Sequence, residues 1–331
     1  MLTKRPILSV LIFSAIFLIV GFILGKFFGV RGTMRNNTQT YRGEIRESGY
    51  KFISPLLDYD SQINYSQLAP FKNKINQLLD SLRQQHQIDT ASVYFRDLDI
   101  GYSFDINGND TFSPASLLKV PVMIAYYKEA EKNPGILQEK LVYKPTTQGL
   151  NDGSVNDTVL KAGQTYTVED LIENMIIYSD NEAKTTLTAY RPDILVQPYQ
   201  DLGVNIPIIN GLDDKMSVND YALFFRILFN SSYLTQDYSE KALEVLSRSK
   251  FYSALRAGVP TEIGMAHKWG LRKTDQGVQL HDCGIIYIPK HPYLLCVMTR
   301  GSDDGKLADA IKQVSALAYQ EVNDNPSPGN N

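Results

Sequence analysis

The sequence is poor in cysteine and histidine, the side chains that most often hold zinc. It contains two cysteines and four histidines in 331 residues. The histidines are His86, His267, His281 and His291, and their spacing matches none of the usual zinc-binding patterns. The two cysteines, Cys283 and Cys296, are not arranged in a zinc-type Cys-x-x-Cys pattern. We therefore expect neither a metal site nor another cofactor.

Long runs of basic residues are also missing. The formal net charge is −3, with 33 basic and 36 acidic side chains. A clustered basic surface is the electrostatic signature of a nucleic-acid-binding protein, so we do not expect nucleic acid as a partner. The composition, 43% hydrophobic and 21% charged, is ordinary for a globular protein. The length allows one large domain or two lobes that share a core.

A long hydrophobic run occurs at residues 6–25, which carry no charge and lie between Lys4-Arg5 and Lys26. At about 1.5 Å per helical residue, this run matches a bilayer hydrocarbon core of roughly 30 Å. No small-x-small cleavage site or lipoprotein cysteine follows it. We expect an uncleaved signal anchor, a single-pass membrane helix, after a short flank at residues 1–5. Basic residues on both sides leave its orientation undecided.

The rest of the chain divides into a polar juxtamembrane linker at residues 26–66, a domain at 67–322 and a disordered tail at 323–331. Periodicity predicts helices at 68–82, 116 to about 134, 171–178, 181 to about 188, 220–229, 239–247 and 307–322. Thr167 and Asp170 form a plausible capping box for the third of these. Strands are predicted at 90–98, 101–106, 265–270, 278–288 and 293–299. This order predicts an α/β (α+β) fold with a five-stranded antiparallel sheet flanked by helices and an inserted all-helical lobe.

The chemistry is concentrated first at Ser116 and Lys119, which lie three residues apart and share one face of a first helical turn. A serine hydroxyl is a weak nucleophile unless a neighbouring base takes its proton. A lysine among apolar neighbours can be that base, because burial disfavours its charged form. Taken alone, the pair would more often be a first-turn serine and a surface lysine.

Two further motifs change that balance. Ser179-Asp180-Asn181 begins 63 residues after Ser116 (179 − 116), and Lys268-Trp269-Gly270 begins 89 residues after Ser179 (268 − 179). With these three motifs in this order, the sequence resembles the class A β-lactamase-like branch of the penicillin-recognising Ser-x-x-Lys acyltransferases. The resemblance covers roughly residues 68–322, and two of the motifs match strictly.

The resemblance implies a role for each matching residue. Ser116 would be the acylated nucleophile, Lys119 its base and Ser179 a proton shuttle to the leaving nitrogen. Asn181, Lys268, Trp269 and Gly270 would line the substrate site, and Asp180 would brace its loop. The backbone N–H groups of Ser116 and Leu271 would form the oxyanion hole. The catalytic domain would face outward from the cell membrane, where β-lactams and peptidoglycan stem peptides are found.

The third motif departs from the family pattern. Trp269 stands where the family usually has Thr or Ser, whose hydroxyl helps bind the substrate carboxylate. Its ring either reshapes the floor of the pocket or turns into the core. The sequence leaves both alternatives open. Arg272, Lys273 and Arg300 are candidates for the lost contact.

A second departure concerns deacylation. Class A β-lactamases carry a Glu-x-x-Leu-Asn loop that positions the hydrolytic water, and residues 202–218 show no such loop. Asp201-Leu202-Gly203-Val204-Asn205 fits superficially, but Leu202-Gly203 reads better as a helix end. Without that base, the acyl-enzyme would clear slowly.

The sequence leaves two side-chain pairs open. Cys283 and Cys296 lie near mirror positions of the last hairpin, where they form either a cross-strand disulfide or two buried thiols. His281-Asp282 reads as a pair of strand residues that supports the site.

Our main functional hypothesis is a membrane-anchored serine hydrolase of the penicillin-binding, D-Ala-D-Ala peptidase type. The alternatives are a weak class A-like β-lactamase and a non-catalytic cell-wall-binding module. The expected partners are a peptidoglycan stem peptide or a β-lactam, and the membrane.

Overall fold

The computed structural model describes residues 44–46, 49–59, 68–144, 160–205, 215–275 and 277–325. The signal anchor expected at residues 6–25 and the flank before it lie outside these residues. Within the described ranges, no helix combines the length and the apolar character needed to cross a bilayer.

A five-stranded antiparallel sheet forms the centre of the fold, in the order β4-β3-β11-β10-β9. The described strands are β1 (Glu44–Arg46), β2 (Leu56–Tyr59), β3 (Thr90–Asp97), β4 (Ser103–Ile106), β5 (Thr111–Phe112), β6 (Lys140–Val142), β7 (Thr165–Thr167), β8 (Met216–Ser217), β9 (Gly264–Thr274), β10 (Gly277–Tyr287) and β11 (Tyr293–Gly301). The prediction of a five-stranded antiparallel sheet is confirmed.

Helices cover both faces of the sheet. The described α-helices are α1 (Ala69–Gln84), α2 (Lys119–Ala130), α3 (Val168–Ile177), α4 (Asn181–Tyr190), α5 (Gln197–Leu202), α6 (Val218–Phe229), α7 (Gln236–Ser247) and α8 (Asp304–Asp324). The terminal helices α1 and α8 lie on one face, and α2 to α7 form the lobe on the other. The inserted lobe is mainly helical, but it also holds the short ladders β6–β7 and β5–β8.

Side-chain alternation along the strands supplies one hydrophobic core to each face. Val93 and Phe95 of β3 belong to the core under the terminal helices, whereas Tyr94 between them belongs to the lobe core. The same alternation holds on β9, which carries the third motif. Consecutive residues of that motif must therefore face different sides of the sheet.

Several element boundaries differ from the sequence prediction. Strand β9 continues to Thr274 because its polar end still pairs with the start of β10. The strand predicted at 101–106 begins at Ser103, because the Asp97 carboxylate accepts the N–H groups of Asp99 and Ile100 and forms a turn. The helix predicted to about residue 134 ends at Ala130, shortly before the Asn133-Pro134 step, which disfavours helix.

The tail prediction is also corrected at its start. Helix α8 includes Asn323 and Asp324, and the Asn325 N–H still bonds to the Glu321 carbonyl. Residues 326–331 of the predicted tail lie outside the described residues.

Part of the predicted linker packs on the domain that follows it. The N–H groups of Lys51, Phe52 and Ile53 all donate to the Glu240 carboxylate of α7. Phe52 and Ile53 are buried, and the Tyr287 hydroxyl donates to the Phe52 carbonyl. We call residues 50–54 the clasp, because they fasten the chain before α1 to the lobe.

Cys283 and Cys296 form a disulfide. They are directly opposite each other on β10 and β11, and both are buried. Of the two alternatives left open by the sequence, the structure has the cross-strand bridge.

Candidate active site

Residues 113–118, which connect β5 to α2, carry the expected nucleophile Ser116 and are called the nucleophile loop. A short 3-10 turn at Ala115–Leu118 precedes the helix, and Ala115 adopts a left-handed φ of 49°. This turn leaves Ser116 half-buried and places its Oγ 2.9 Å from Nζ of Lys119, the first residue of α2. The predicted pair therefore meets as the helical spacing requires.

Lys119 is fully buried, and its Nζ contacts four oxygen atoms. These are the Ser116 Oγ at 2.9 Å, the Ser179 carbonyl at 2.5 Å, the Ser179 Oγ at 3.0 Å and the Asn181 Oδ1 at 2.5 Å. The two carbonyl oxygens can only accept, so they take two N–H bonds of the lysine. A neutral Lys119 then keeps its lone pair for the Ser116 proton.

Ser179 connects the two lysines of the site. It follows α3 in a left-handed conformation, with φ of 57°, and is 1% exposed. Its Oγ lies 3.0 Å from the Lys119 Nζ and 2.9 Å from the Lys268 Nζ. The groups Ser116, Lys119, Ser179 and Lys268 thus form one continuous chain of hydrogen-bonding atoms.

Asp180 holds the turn that carries Ser179. Its carboxylate accepts the N–H groups of Glu182 and Ala183 at the start of α4 and the hydroxyl of Tyr143. This agrees with the interpretation of Asp180 as a structural brace, because both of its oxygens are used by the protein.

Lys268 lies on β9 and is fully buried. Its Nζ donates to the Ser179 Oγ at 2.9 Å and to the Trp269 carbonyl at 3.1 Å. Burial lowers the pKa of this lysine to about 7, against the opposing effect of the Asp282 carboxylate. The charge of Lys268 therefore changes near neutral pH.

Gly270 allows β9 to approach the nucleophile loop. A Cβ at this position would lie 2.8 Å from the Pro114 carbonyl and 3.1 Å from the N atoms of Ser116 and Leu117. Any larger residue would push the strand away from the loop. Leu271, whose N–H is expected to complete the oxyanion hole, is the next residue of the strand.

Trp269 does not form the pocket floor. It is 4% exposed and packs in the core under the terminal helices, where its ring stacks on Phe251 at a centroid distance of 4.2 Å. Alternation along β9 turns it away from the lobe, although its ring also lies 5.2 Å from the Lys268 Nζ. The structure therefore removes Trp269 from the predicted substrate-binding set.

The three cations suggested as replacements are held by other protein groups. Arg272 donates to the Ser113 Oγ at 2.7 Å, and Lys273 pairs with Asp304 at 2.9 Å. Arg300 donates to the Thr111 carbonyl at 3.3 Å, and its guanidinium lies 5.3 Å from the Phe112 ring centroid.

The Asp201 carboxylate lies at the surface and is hydrogen-bonded to other side chains of the protein. It is exposed, and its carboxylate accepts from Gln197 and from the Tyr233 hydroxyl, each at 2.6 Å. The Tyr233 bond is the main cause that lowers the Asp201 pKa. Gly203 ends the preceding helix in the left-handed conformation, which supports the reading of Leu202-Gly203 as a helix end.

The adjacent strand residues His281 and Asp282 bond to different partners. Asp282 bonds to the Nδ1 of His267 at 2.9 Å, on the neighbouring strand. His281 faces the other side, since adjacent strand residues alternate, and its Nε2 bonds to the Ser113 carbonyl at 2.9 Å. Sequence reasoning missed Ser113 and Gln279 as neighbours of the site, because neither lies in a recognisable motif.

Comparison with known proteins identifies the family. Residues 70–322 match the beta-lactamase enzyme family over most of the chain. The chain belongs to that family. No curated protein sequence matches it significantly.

Solved structures of β-lactamase-like proteins share the fold. A mutant of PBP-A in an acyl-enzyme complex with penicillin G is 25% identical, with a TM-score of 0.65 over 76% of this chain and 97% of that chain. A β-lactamase from Sphaerobacter thermophilus is 22% identical, with a TM-score of 0.65 over 76% and 97% of the two chains. A class A β-lactamase from Mycobacterium abscessus is 20% identical, with a TM-score of 0.65 over 75% and 99%. The protein is thus a β-lactamase-like serine hydrolase.

Proposed function

We propose that this hydrolase is a membrane-anchored, penicillin-binding enzyme of the D-Ala-D-Ala peptidase type, and that it acts through a Ser116 acyl-enzyme. The observation that carries the proposal is the contact of Lys119 Nζ with Ser116 Oγ at 2.9 Å, inside the buried chain of atoms that ends at Lys268. A nucleophile whose proton acceptor is already in hydrogen-bond range suits acyl transfer.

In the proposed first step, the Ser116 oxygen bonds to the substrate carbonyl carbon, and Lys119 takes the hydroxyl proton. The carbonyl oxygen becomes an oxyanion, which the backbone N–H groups of Ser116 and Leu271 stabilise. When the carbon–nitrogen bond breaks, Ser179 gives its proton to the leaving nitrogen and recovers one from Lys119. Lys268 acts through Ser179, which it contacts, rather than through the substrate. Asn181 holds Lys119 and, in this proposal, also binds the substrate amide.

Slow deacylation is the second part of the proposal. It is supported by the lack of a Glu-x-x-Leu-Asn sequence at residues 202–218 and by the engagement of Asp201 with Gln197 and Tyr233. A water molecule would then attack the ester without a dedicated carboxylate base. The structure of the PBP-A mutant, an acyl-enzyme complex with penicillin G, is a precedent for an acyl-enzyme on this fold.

An extracytoplasmic location is supported by two features. The uncharged stretch at residues 6–25 is long enough for a membrane anchor. The Cys283–Cys296 disulfide is of a kind that persists in oxidising compartments and is rare in the cytosol. Both features agree with a catalytic domain that faces the peptidoglycan.

A β-lactamase activity is the second candidate, and the family match favours it. A non-catalytic wall-binding module is disfavoured, because binding alone has no need for a lysine with four oxygen contacts next to a serine.

The test uses the full chain in detergent, labelled with a fluorescent penicillin and then chased with unlabelled penicillin. We expect a covalent label that persists for hours, and cleavage of an acyl-D-Ala-D-Ala peptide in the unlabelled enzyme. Ser116→Ala should abolish both, whereas Ser302→Ala, an exposed serine, should change neither.

Three outcomes count against the proposal. A label that clears within seconds, with steady turnover of a chromogenic lactam, makes the protein a β-lactamase. A persistent label without peptide cleavage removes the peptidase assignment. No label in the folded wild-type protein removes penicillin binding altogether.

A further inference from the structure

Ser113, three residues before the proposed nucleophile, is held by the sheet through all of its polar groups. Its N–H donates to the Gln279 Oε1 at 3.0 Å, and its Oγ accepts from Arg272 at 2.7 Å. Its carbonyl accepts from the Nε2 of His281 at 2.9 Å. The side chain and both backbone groups of one residue are therefore fixed at once.

The three partners form a compact patch on β9 and β10. Arg272 and Gln279 are paired across the two strands, and His281 lies two residues further along β10 on the same face. Fully buried His281 has its own orientation fixed, because its Nδ1 accepts the Thr299 N–H at 3.2 Å. The proton is therefore on Nε2, which is the donor to Ser113. We call these three side chains with Ser113 the loop clamp.

The nucleophile loop needs such a restraint. Ala115, between Ser113 and Ser116, has a φ of 49°, a conformation that a residue with a Cβ adopts only when its surroundings impose it. On its other side, the Pro114 carbonyl and the Ser116 N lie against Gly270 of β9. The clamp therefore fixes one end of a strained turn, whose other end carries the Ser116 N–H.

Resting on the proposed acyl transfer at Ser116, we propose that the loop clamp is a positioning device that sets the Ser116 amide and hydroxyl for acylation. Gln279, Arg272 and His281 each contact Ser113 and act through it. Removing one clamp contact should therefore lower the limiting rate of acylation and leave substrate binding unchanged.

Gln279 gives the sharpest test, because it is only half-buried and has an isosteric substitute. Gln279→Leu removes the acceptor for the Ser113 N–H, whereas Gln279→Glu keeps an acceptor oxygen. Gln313→Leu, a half-buried glutamine of α8, is the matched control. The full chain is titrated with a fluorescent penicillin to give a limiting acylation rate and a half-saturation concentration. A thermal unfolding curve for each variant checks that the variant is folded.

We expect Gln279→Leu to lower the limiting rate by roughly tenfold to a hundredfold, with half-saturation within about twofold of wild type. Gln279→Glu should recover most of the rate, and Gln313→Leu should match wild type. An unchanged rate, a change only in half-saturation, or equal losses in the Leu and Glu variants would overturn the inference.

Hydrogen exchange at residues 113–117 separates this inference from the proposed function. If the wild-type protein is not acylated, the proposed function is wrong. The hydrogen-exchange rates of residues 113–117 then test by themselves whether the loop clamp holds the nucleophile loop. Faster exchange in Gln279→Leu but not in Gln279→Glu supports the clamp, and the same exchange in both variants contradicts it.

Discussion

At the scale of single residues, the site is unusual for two lysines that are both completely buried. Lys119 and Lys268 lie on either side of the Ser179 hydroxyl and bond to it at 3.0 and 2.9 Å. Two ammonium groups this close repel each other, and the Ser179 hydroxyl is the group that lies between them. In the proposed acyl transfer, Lys119 takes the Ser116 proton while the Lys268 ammonium donates to Ser179.

The charge of Lys268 should set the alkaline limit of acylation. Burial lowers its pKa to about 7, so the ammonium that donates to Ser179 is present below that pH and lost above it. We expect the acylation rate to fall as the pH rises through about 7. Lys268→Arg keeps its charge at all these pH values, because a guanidinium stays protonated throughout this range.

The measurement is the rate of labelling by a fluorescent penicillin as a function of pH. The Lys268→Arg variant should be labelled more slowly than wild type. Its labelling rate should not fall as the pH rises above about 7. The same decline in Lys268→Arg would assign that limit to another group.

At the scale of elements, each group of the proposed catalytic site lies at the start of a helix, in a turn between helices or on an edge strand. Lys119 begins α2, the Ser179 turn connects α3 and α4, and Lys268 lies on the edge strand β9. The contact between β9 and the nucleophile loop depends on Gly270. The turn that carries Ser179 follows α3, so its position depends on the stability of that helix.

Gly270→Ala should block acylation while the protein still folds. The added Cβ would lie 2.8 Å from a backbone oxygen of the loop, so either the strand or the loop must move. A displacement of about 1 Å at a reacting centre costs roughly a hundredfold in rate.

Gly264→Ala is the matched control on the same strand, where the Cβ meets Tyr287 at an ordinary 3.6 Å. Labelling rates near wild type for Gly264→Ala and far lower for Gly270→Ala are expected. Equal rates in the two variants would show that the close approach is not needed.

The capping box of α3 should contribute to stability. Thr167 accepts the Asp170 N–H, and the Asp170 carboxylate accepts the Thr167 N–H, as the sequence predicted. Thr167→Ala should lower the free energy of unfolding by about 1 kcal/mol. Urea denaturation provides the measurement, with Thr185→Ala, an exposed position in the middle of α4, as the control. A smaller loss for Thr167→Ala than for Thr185→Ala would contradict the role of the cap.

The motifs and their elements could be predicted from the sequence, because local periodicity and spacing encode them. Ser116 and Lys119 share a face through helical geometry alone. The direction of Trp269 could not be predicted, since it depends on the face that β9 turns toward the lobe. The loop clamp was also missed, because Ser113 meets Gln279 and His281 only after segments more than 160 residues apart have packed together.

At the scale of the whole molecule, the site exists only where the lobe packs on the sheet. The nucleophile loop and the Ser179 turn belong to the lobe, whereas Lys268 belongs to the sheet. The clasp lies before residue 70, where the family match begins, and it adds contacts between this earlier segment and the domain. It binds the chain before α1 to α7, to the end of α6 and to β10.

Glu240→Ala should release the clasp. The loss leaves the N–H groups of residues 51–53 without their carboxylate acceptor, and we expect the free energy of unfolding to fall by about 2 kcal/mol. Glu244→Ala, on the next turn of the same helix, removes only exposed ion-pair contacts such as the one with Arg248 at 3.5 Å. Its effect should stay below about 1 kcal/mol.

Limited proteolysis and thermal unfolding measure both effects. Faster cleavage near residues 50–54 is expected in Glu240→Ala and not in Glu244→Ala. Equal cleavage in the two variants would show that the carboxylate does not hold the clasp.

The most direct test of the central claim is the intact mass of the full chain after incubation with penicillin G, followed by peptide mapping of the modified protein. The account predicts a mass increase of one penicillin, with the adduct on the peptide that contains Ser116 and no adduct in Ser116→Ala. An unmodified wild-type mass, or an adduct on a different residue, would contradict the assignment of Ser116 as the acylated nucleophile.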